Sequence, residues 1–471
     1  MSFNSIEFLL FFPVVTIIYF LLPHRFRWCH LLLSSCIFYM SFIPVYILIL
    51  FFMIGIDYTA GIVIEKASGD RRKIFLVASI VSNAGILMTF KYFDFFIGNF
   101  NALSAIFHLP ARFPLLRLIL PIGLSFHTFQ AMSYTIEVYR GKQIAERHLG
   151  IFALYVLFFP QLVAGPIERP GHLLRQFRDR HDFNWADLSA GMRLMLLGFF
   201  KKLVIADRLA FYVDDVYKNA DRVSSGYILI GMIFFSFQIY CDFSGYSDIA
   251  VGAARVMGFD LVVNFRRPYF SRNIREFWSR WHISLTSWFR DYVYIPLGGS
   301  RTGSARKYLN VGIVFLLSGL WHGAGWNFAV WGAIHALLMM GYLFYQDLRG
   351  EDRRREPSRL GHAVGMLATF CLVTVTWVFF RASGIGEAWN ILSYAFGRKR
   401  GVIYDQLLTR STILLGFVFF GLLMLFERVV SPKLEELGGR FWPDIVFGLI
   451  ALTSILLFGV FGNSSFIYFQ F

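Results

Sequence analysis

The chain has 471 residues, of which 56% are hydrophobic and 19% aromatic, with 55 phenylalanines and a mean hydropathy of +0.56. A soluble chain is about 45–50% apolar, so this composition excludes an ordinary water-soluble enzyme and points to an all-α polytopic membrane protein. A net charge of +15 would suggest nucleic acid in a soluble protein; here it is read as basic loops held on the cytoplasmic side against anionic lipid, with no nucleic-acid partner expected.

Apolar runs of spanning length recur from one end to the other. Residues 6–22 lack the basic leader and small-residue cleavage site of a signal peptide, so they read as a retained helix. Further spans are expected near 46–64, 74–90, 115–134, 151–164, 192–213 and 227–250, then 308–320, 328–345, 364–380, 412–426 and 445–460. Residues 31–40 are short for a span and suit a re-entrant segment. The total is about 11–12 transmembrane helices. With no internal repeat or low-complexity linker, residues 1–471 are expected to form a single membrane domain. Cys29, Cys36, Cys241 and Cys371 lie in or beside apolar runs without a C-x-x-C pair, so neither a metal site nor a disulfide is expected.

Three polar connections stand out: 165–190, 264–307 and 346–360. The second carries eight arginines and Lys307 against Glu276 and Asp291, and the positive-inside rule places it in the cytoplasm. The third is also basic, with the run Asp352-Arg-Arg-Arg-Glu356, and is expected on the same side. Two crossings must then lie between them: one outward over 308–321 and one back over 326–345. At ~1.5 Å per residue His322 falls roughly 20 Å from the start of its helix, past the middle of a ~30 Å hydrocarbon core.

His322 sits in Ser318-Gly-Leu-Trp-His-Gly-Ala-Gly-Trp-Asn327, between two apolar runs. A histidine there is costly unless it has partners or a function. One reading is a reactive histidine at a break between membrane helices; the other is a buried histidine that bonds a neighbouring helix. Phe277-Trp-Ser-Arg-Trp-His-Ile-Ser-Leu-Thr-Ser-Trp-Phe289 interleaves tryptophan, arginine and His282. It suits an amphipathic helix at the interface, or a dipping helix that carries His282 towards His322. Asp242 and Asp248 lie six residues apart in an apolar run. They do not share a helix face, and each is expected to pair with an arginine of the basic loop. His127 reads as a packing histidine. The tail Phe466-Ile-Tyr-Phe-Gln-Phe471 should fray unless something holds it. It reads either as an aromatic interfacial anchor or as a segment that folds into the outer mouth and presents the Tyr468 hydroxyl to His322.

Taken together, Asp242-Phe-Ser-Gly-Tyr-Ser-Asp248, Phe277-Trp-Ser-Arg-Trp-His-Ile-Ser284, Arg290-Asp-Tyr292 and Ser318-Gly-Leu-Trp-His-Gly323 resemble motifs of the membrane-bound O-acyltransferase family. The likeness is to its bacterial, alginate O-acetyltransferase-like branch, and it covers nearly the whole chain. Pro121-Ile-Gly-Leu-Ser-Phe126 and Gly165-Pro-Ile-Glu168 add to it. The resemblance implies a ring of transmembrane helices, with re-entrant helices, around a central funnel. It places the two signature histidines on His282 and His322. It also implies a bacterial inner-membrane protein with no bound cofactor and with acetyl-CoA as acyl donor. The implied partners are an exported polysaccharide as acceptor and a periplasmic acetyltransferase or SGNH-type protein that completes transfer.

Acyl transfer from a thioester to a hydroxyl needs a base, donors for the oxyanion and a dry site. Imidazole titrates near neutrality, so His322 is assigned as general base, with an acyl-imidazole carrier as the alternative. His282 and Asn327 are candidates to orient it or to serve the oxyanion. Trp321 and Trp326 are candidate walls, and Asp291 and Tyr468 are candidate supports. The basic loop is available for the donor's phosphates. Transfer of D-alanine or another acyl group to a cell-wall polymer or lipid stays open within the same class. A carrier with broken helices, or a scaffold for a polysaccharide-modifying complex, stays open outside it.

Overall fold

The computed structural model describes residues 1–109, 112–163, 165–301, 303–350, 358–397, 401, 407–430, 441–462 and 466–467; of helix residues 407–410, 430 and 441–444 it describes the backbone alone. Every regular element among them is helical. Among the described residues, six helical stretches are long and apolar enough to cross a bilayer: Pro44–Lys66, Gly69–Ile106, Ser225–Val256, Trp326–Arg349, Arg359–Arg381 and Ser411–Val429. Ile6–Leu21 and Ile445–Phe458 are shorter apolar helices. The chain clusters into two compact units, residues 1–192 with 250–262, and residues 193–249 with 263–471.

The first unit holds α1 (Ile6–Leu21), α2 (His24–Met40), α3 (Ile47–Lys66), α4 (Gly69–Leu87), α5 (Phe93–Ile106), α6 (Leu124–Tyr139), α7 (Leu149–Leu157) and α8 (Pro170–Gln176). Ser5 caps α1 by accepting the Phe8 N–H. The short run 31–40 is the second half of α2. Two expected spans are broken. Residues 115–120 are not helical, and α6 starts only after Gly123, whose φ of 74° is left-handed; Pro121 precedes that turn and disfavours helix before it. The run 151–164 yields the nine-residue α7, which ends before Pro160 because proline cannot continue the ladder. Its residues 151–157 are all buried and serve as core. Asp57 of α3 is buried; Ser79 donates to its Oδ1 at 2.6 Å, and Asn83 donates to both oxygens at 3.0 and 2.9 Å. Glu168, also buried, accepts the Val262 N–H at 2.6 Å and faces His172 Nδ1 at 2.8 Å. The Gly-Pro-Ile-Glu motif is thus a tie within this unit.

The helix α9 (Trp185–Phe199) leads into the second unit. A π-helical turn, Phe200–Ala206, and α10 (Asp207–Lys218) follow. The long helix α11 (Ser225–Val256) comes next, then two seven-residue helices, α12 (Ile274–Arg280) and α13 (Ile283–Phe289). The unit is completed by α14 (Gly303–His322), α15 (Trp326–Arg349), α16 (Arg359–Arg381), α17 (Ile385–Phe396), α18 (Leu407–Leu425) and α19 (Phe441–Phe458).

The expectation that arginines neutralise Asp242 and Asp248 is corrected here: two lysines do so. Lys202 Nζ lies 2.6 Å from Asp242 and 2.9 Å from Asp207. Lys201 Nζ lies 2.9 Å from Asp248 and 2.8 Å from Glu427, whose carboxylate also accepts the Tyr240 hydroxyl at 2.7 Å. Consecutive side chains of an α-helix point about 100° apart. The π-turn widens the helix at this point, and both ammonium groups reach inward. Gly198 and Gly245 allow the close approach: a Cβ on either would collide with the other's carbonyl oxygen.

Candidate active site

Helices α14 and α15 form a hairpin joined by Gly323-Ala-Gly325. Their axes approach closely where Gly319 faces Gly332; a Cβ on Gly319 would strike the Phe328 carbonyl, and one on Gly332 the Phe315 carbonyl. His322 is the last residue of α14 and is 4% exposed. Its ring is walled by Trp321 at 5.0 Å, Trp331 at 5.2 Å and Phe380 at 5.2 Å between centroids. At the other end of the hairpin, Lys307 and the Tyr308 hydroxyl both bind Asp347. The basic connections before α14 and after α15 therefore leave the hairpin at one end. Residues 351–357, which include the Arg353–Arg355 run, lie outside the described residues.

His282 joins α12 to α13. It is fully buried, with φ 42° and ψ 56°. A non-glycine residue in this left-handed region costs about 1–3 kcal/mol and persists where its surroundings fix it. They do so here. The Arg266 N–H binds the Arg280 carbonyl at 3.0 Å, and the Ile283 N–H binds the Asn264 carbonyl at 2.9 Å. The Asn264 side chain also accepts the Ser284 hydroxyl at 2.6 Å. The His282 ring lies 4.7 Å from Phe243 and 6.2 Å from Trp321, so Trp321 touches both histidines. The inner face of the segment buries Trp278, Trp281, Leu285 and Trp288, while Arg275 and Ser279 face outwards. The segment therefore has one buried and one exposed face, and Trp321 links its His282 to His322.

The supporting residues divide. Trp321 is a wall, but Trp326 is 58% exposed at the start of α15, and Trp331 takes the walling position. The Asn327 amide donates to the carbonyls of Phe379 at 3.2 Å and Ala382 at 2.8 Å, which fastens α15 to the end of α16. Asp291 pairs with its neighbour Arg290 at 2.8 Å. Tyr468 lies outside the described residues. Just before it, Phe466 and Ile467 are buried, and the Ile467 N–H donates to Asp242 Oδ2 at 2.8 Å. The Phe466 ring lies 4.8 Å from Tyr246 and 5.7 Å from Phe243, the residue against His282.

Sequence reasoning missed Trp331, His335, Trp377 and Phe380, and the lysine pair. The signals were present: Lys201-Lys202 and His335 are polar residues inside apolar runs, and Trp331 and His335 stand four apart, on one face of α15.

Beside α12 a cavity of about 670 Å³ is lined by Arg267, Arg272, Arg280, Arg359 and Arg428, with Glu276 the one carboxylate among the described residues that line it. Burial opposes the charge on Glu276, but hydrogen bonds from Arg272 and the charges of Arg280 and Arg272 outweigh it and hold the carboxyl below its usual range. Among the described residues no carboxylate pairs with Arg267, Arg359 or Arg428. Arg267 is also left-handed, with φ 52°. Arg280, on this cavity, precedes His282 by two residues, at most about 7 Å of chain.

Residues 147–385 match the model of a family described as MBOAT, the membrane-bound O-acyltransferase family. The chain is 36% identical to a probable alginate O-acetylase of Pseudomonas putida, in an alignment covering all of both chains. It is 33% identical to a peptidoglycan O-acetyltransferase of Helicobacter pylori over 86% of this chain and 80% of that one. A teichoic acid D-alanyltransferase of Bacillus subtilis is 29% identical over 55% of this chain and 68% of its own.

Proposed function

The chain belongs to the membrane-bound O-acyltransferase family and is a multi-pass O-acyltransferase, and from that premise we propose that it carries an acetyl group from acetyl-CoA across a bacterial inner membrane for O-acetylation of an exported polysaccharide. The observation that supports this reading most is His322. It is buried at a helix break, walled by Trp321, Trp331 and Phe380, in a setting that excludes water from a thioester. In the proposed step the His322 imidazole takes the proton of an acceptor hydroxyl. The hydroxyl oxygen attacks the acetyl carbonyl, the C–S bond breaks, and the imidazolium returns its proton to the leaving thiolate.

The five-arginine cavity beside α12 suits the phosphates of the donor, because guanidinium forks bind phosphate bidentately. Its place two residues before His282 lets a long thioester arm run inward from it. A periplasmic partner of the acetyltransferase or SGNH type would pass the acetyl group to the polymer.

The test is turnover of acetyl-CoA by the purified protein in lipid nanodiscs. Wild type should consume the thioester with an acceptor present, and His322→Ala should not. Wild-type turnover by His322→Ala would overturn the assignment. Tyr468→Phe keeps the ring and removes one oxygen. Near-normal acylation then means that the tail only anchors; loss with intact protein means that the phenol is an intermediate acceptor. Cysteines placed in 264–307 and 346–360 should label from the same, cytoplasmic, side.

A further inference from the structure

His335 is the third histidine of this region, and both of its nitrogens have assignable partners. It is fully buried on α15. The Trp278 indole N–H, which can only donate, lies 3.3 Å from His335 Nδ1. On the other side the Thr376 hydroxyl lies 3.0 Å from His335 Nε2. That hydroxyl donates its proton to the Val373 carbonyl at 2.7 Å, so towards His335 it accepts. The chain of donors therefore runs one way: Trp278 N–H to Nδ1, Nε2–H to Thr376 Oγ1, Thr376 O–H to Val373 O. It fixes a neutral imidazole with the proton on Nε2. Protonating Nδ1 would set two donors against each other, so His335 is not available as a second base.

The groups it joins lie on different elements. Trp278 belongs to α12, four residues before His282. Thr376 and Trp377 belong to α16, with the Trp377 ring 6.4 Å from His335. Trp331 lies one turn back on α15, 4.7 Å from His335 and 5.2 Å from His322. Phe315 of α14 stacks on the same imidazole at 6.1 Å. A hydrogen-bonded ring at the crossing of four helices resists sliding more than an apolar contact does, because a slip would leave a buried donor or acceptor unmade.

We infer that His335 is a positioning residue, a pin that bonds the His282-bearing segment through Trp278 to the His322-bearing hairpin and so sets how the two histidines stand to each other. This rests on the acyl-transfer reading above, because the consequence concerns turnover. Its physical content, the pin itself, can be measured without turnover.

The experiment uses the full chain in nanodiscs, with the four native cysteines replaced. His335→Leu removes both bonds, Trp278→Phe removes one donor and keeps an aromatic ring, and His335→Gln supplies an acceptor and a donor in place of the two nitrogens. Expected are a fall in kcat of about tenfold or more for His335→Leu and Trp278→Phe, with KM for acetyl-CoA within twofold of wild type. The double variant should be no worse than the worse single variant, and His335→Gln should recover most of the rate. Nitroxides at Ser279 on α12 and Leu337 on α15, both exposed, should give one narrow distance in wild type and His335→Gln, and a broadened one in the other two. A role in stability alone would lower folded yield, leave kcat per folded molecule unchanged and give additive losses; that outcome overturns the inference. Trp278→Phe is conservative enough to carry the test should His335→Leu fail to fold, and a narrow distance in it, or wild-type kcat, also overturns the inference. If wild type itself turns over no thioester while the distances broaden as expected, the acyl-transfer reading fails and the pin stands only as packing.

Discussion

Two regions of the second unit bury polar groups inside an apolar protein, and they do so in opposite ways. Around Lys201 and Lys202, charge is met by charge: four carboxylates and two ammonium groups stand at 2.6–2.9 Å. Around His282 and His322 the neighbours are indole and phenyl rings. An ion cluster of the first kind locks helices together, because moving any member strands a buried charge. An aromatic chamber of the second kind shields an imidazole from water, and that is the setting a transferable proton needs. The contrast separates a structural use of buried polarity from a chemical one.

The largest expected effect tests the chemical side. His322→Ala should lower acetyl-thioester turnover by roughly 10²–10⁴-fold, the usual contribution of a general base. Membrane insertion and the amount of folded protein should stay near wild type. The reverse pattern should hold on the structural side. Lys202→Met strands Asp207 and Asp242, both about 4% exposed, and should cost about 3–5 kcal/mol of stability, read as loss of folded protein and early thermal unfolding. Adding Asp242→Asn should return part of it. If Lys202→Met folded normally yet lost turnover, the division between the two regions would fail.

A smaller effect belongs to the arginine cavity. Arg359→Ala should raise KM for acetyl-CoA about tenfold, in keeping with about 1.5–3 kcal/mol for a charged hydrogen bond, with kcat unchanged. The increase should shrink as salt is raised. An unchanged KM in both Arg359→Ala and Arg267→Ala would remove the phosphates from this cavity.

The smallest effect lies in the first unit. The hydrogen bond to Glu168, with help from the charges of Glu168 and Asp260, raises the pKa of His172 above its ordinary value in spite of partial burial. A raised folded pKa stabilises through the charged form. The contribution is complete below the unfolded value of about 6.5 and is lost as pH rises through the raised folded value. Thermal stability should therefore fall slightly across that window in wild type and should lose this component in His172→Gln. Because His172 is partly exposed, the step should be small.

The sequence by itself determined the membrane character, the helical class and the two histidine-bearing segments. Apolar run length and residue type are properties of the chain in one dimension, and a histidine between two apolar runs declares its cost before any fold is known. It also placed the basic connections together, which the pairing of Lys307 with Asp347 reproduces at one end of the hairpin. It did not give span boundaries where Pro121 and Pro160 break apolar runs. Only the tertiary structure decided which buried groups meet. Lys202 and Asp242 are 40 residues apart, and Lys201 and Asp248 are 47; they join because Gly198 and Gly245 let two helices approach closely and a π-turn aims both lysines inward. Trp278, His335 and Thr376 come from three separate helices, and Arg267, Arg359 and Arg428 come from three separated segments. Partners of this kind are chosen by helix adjacency, which hydropathy along the chain does not encode, so the identity of each neutralising group had to come from the packing.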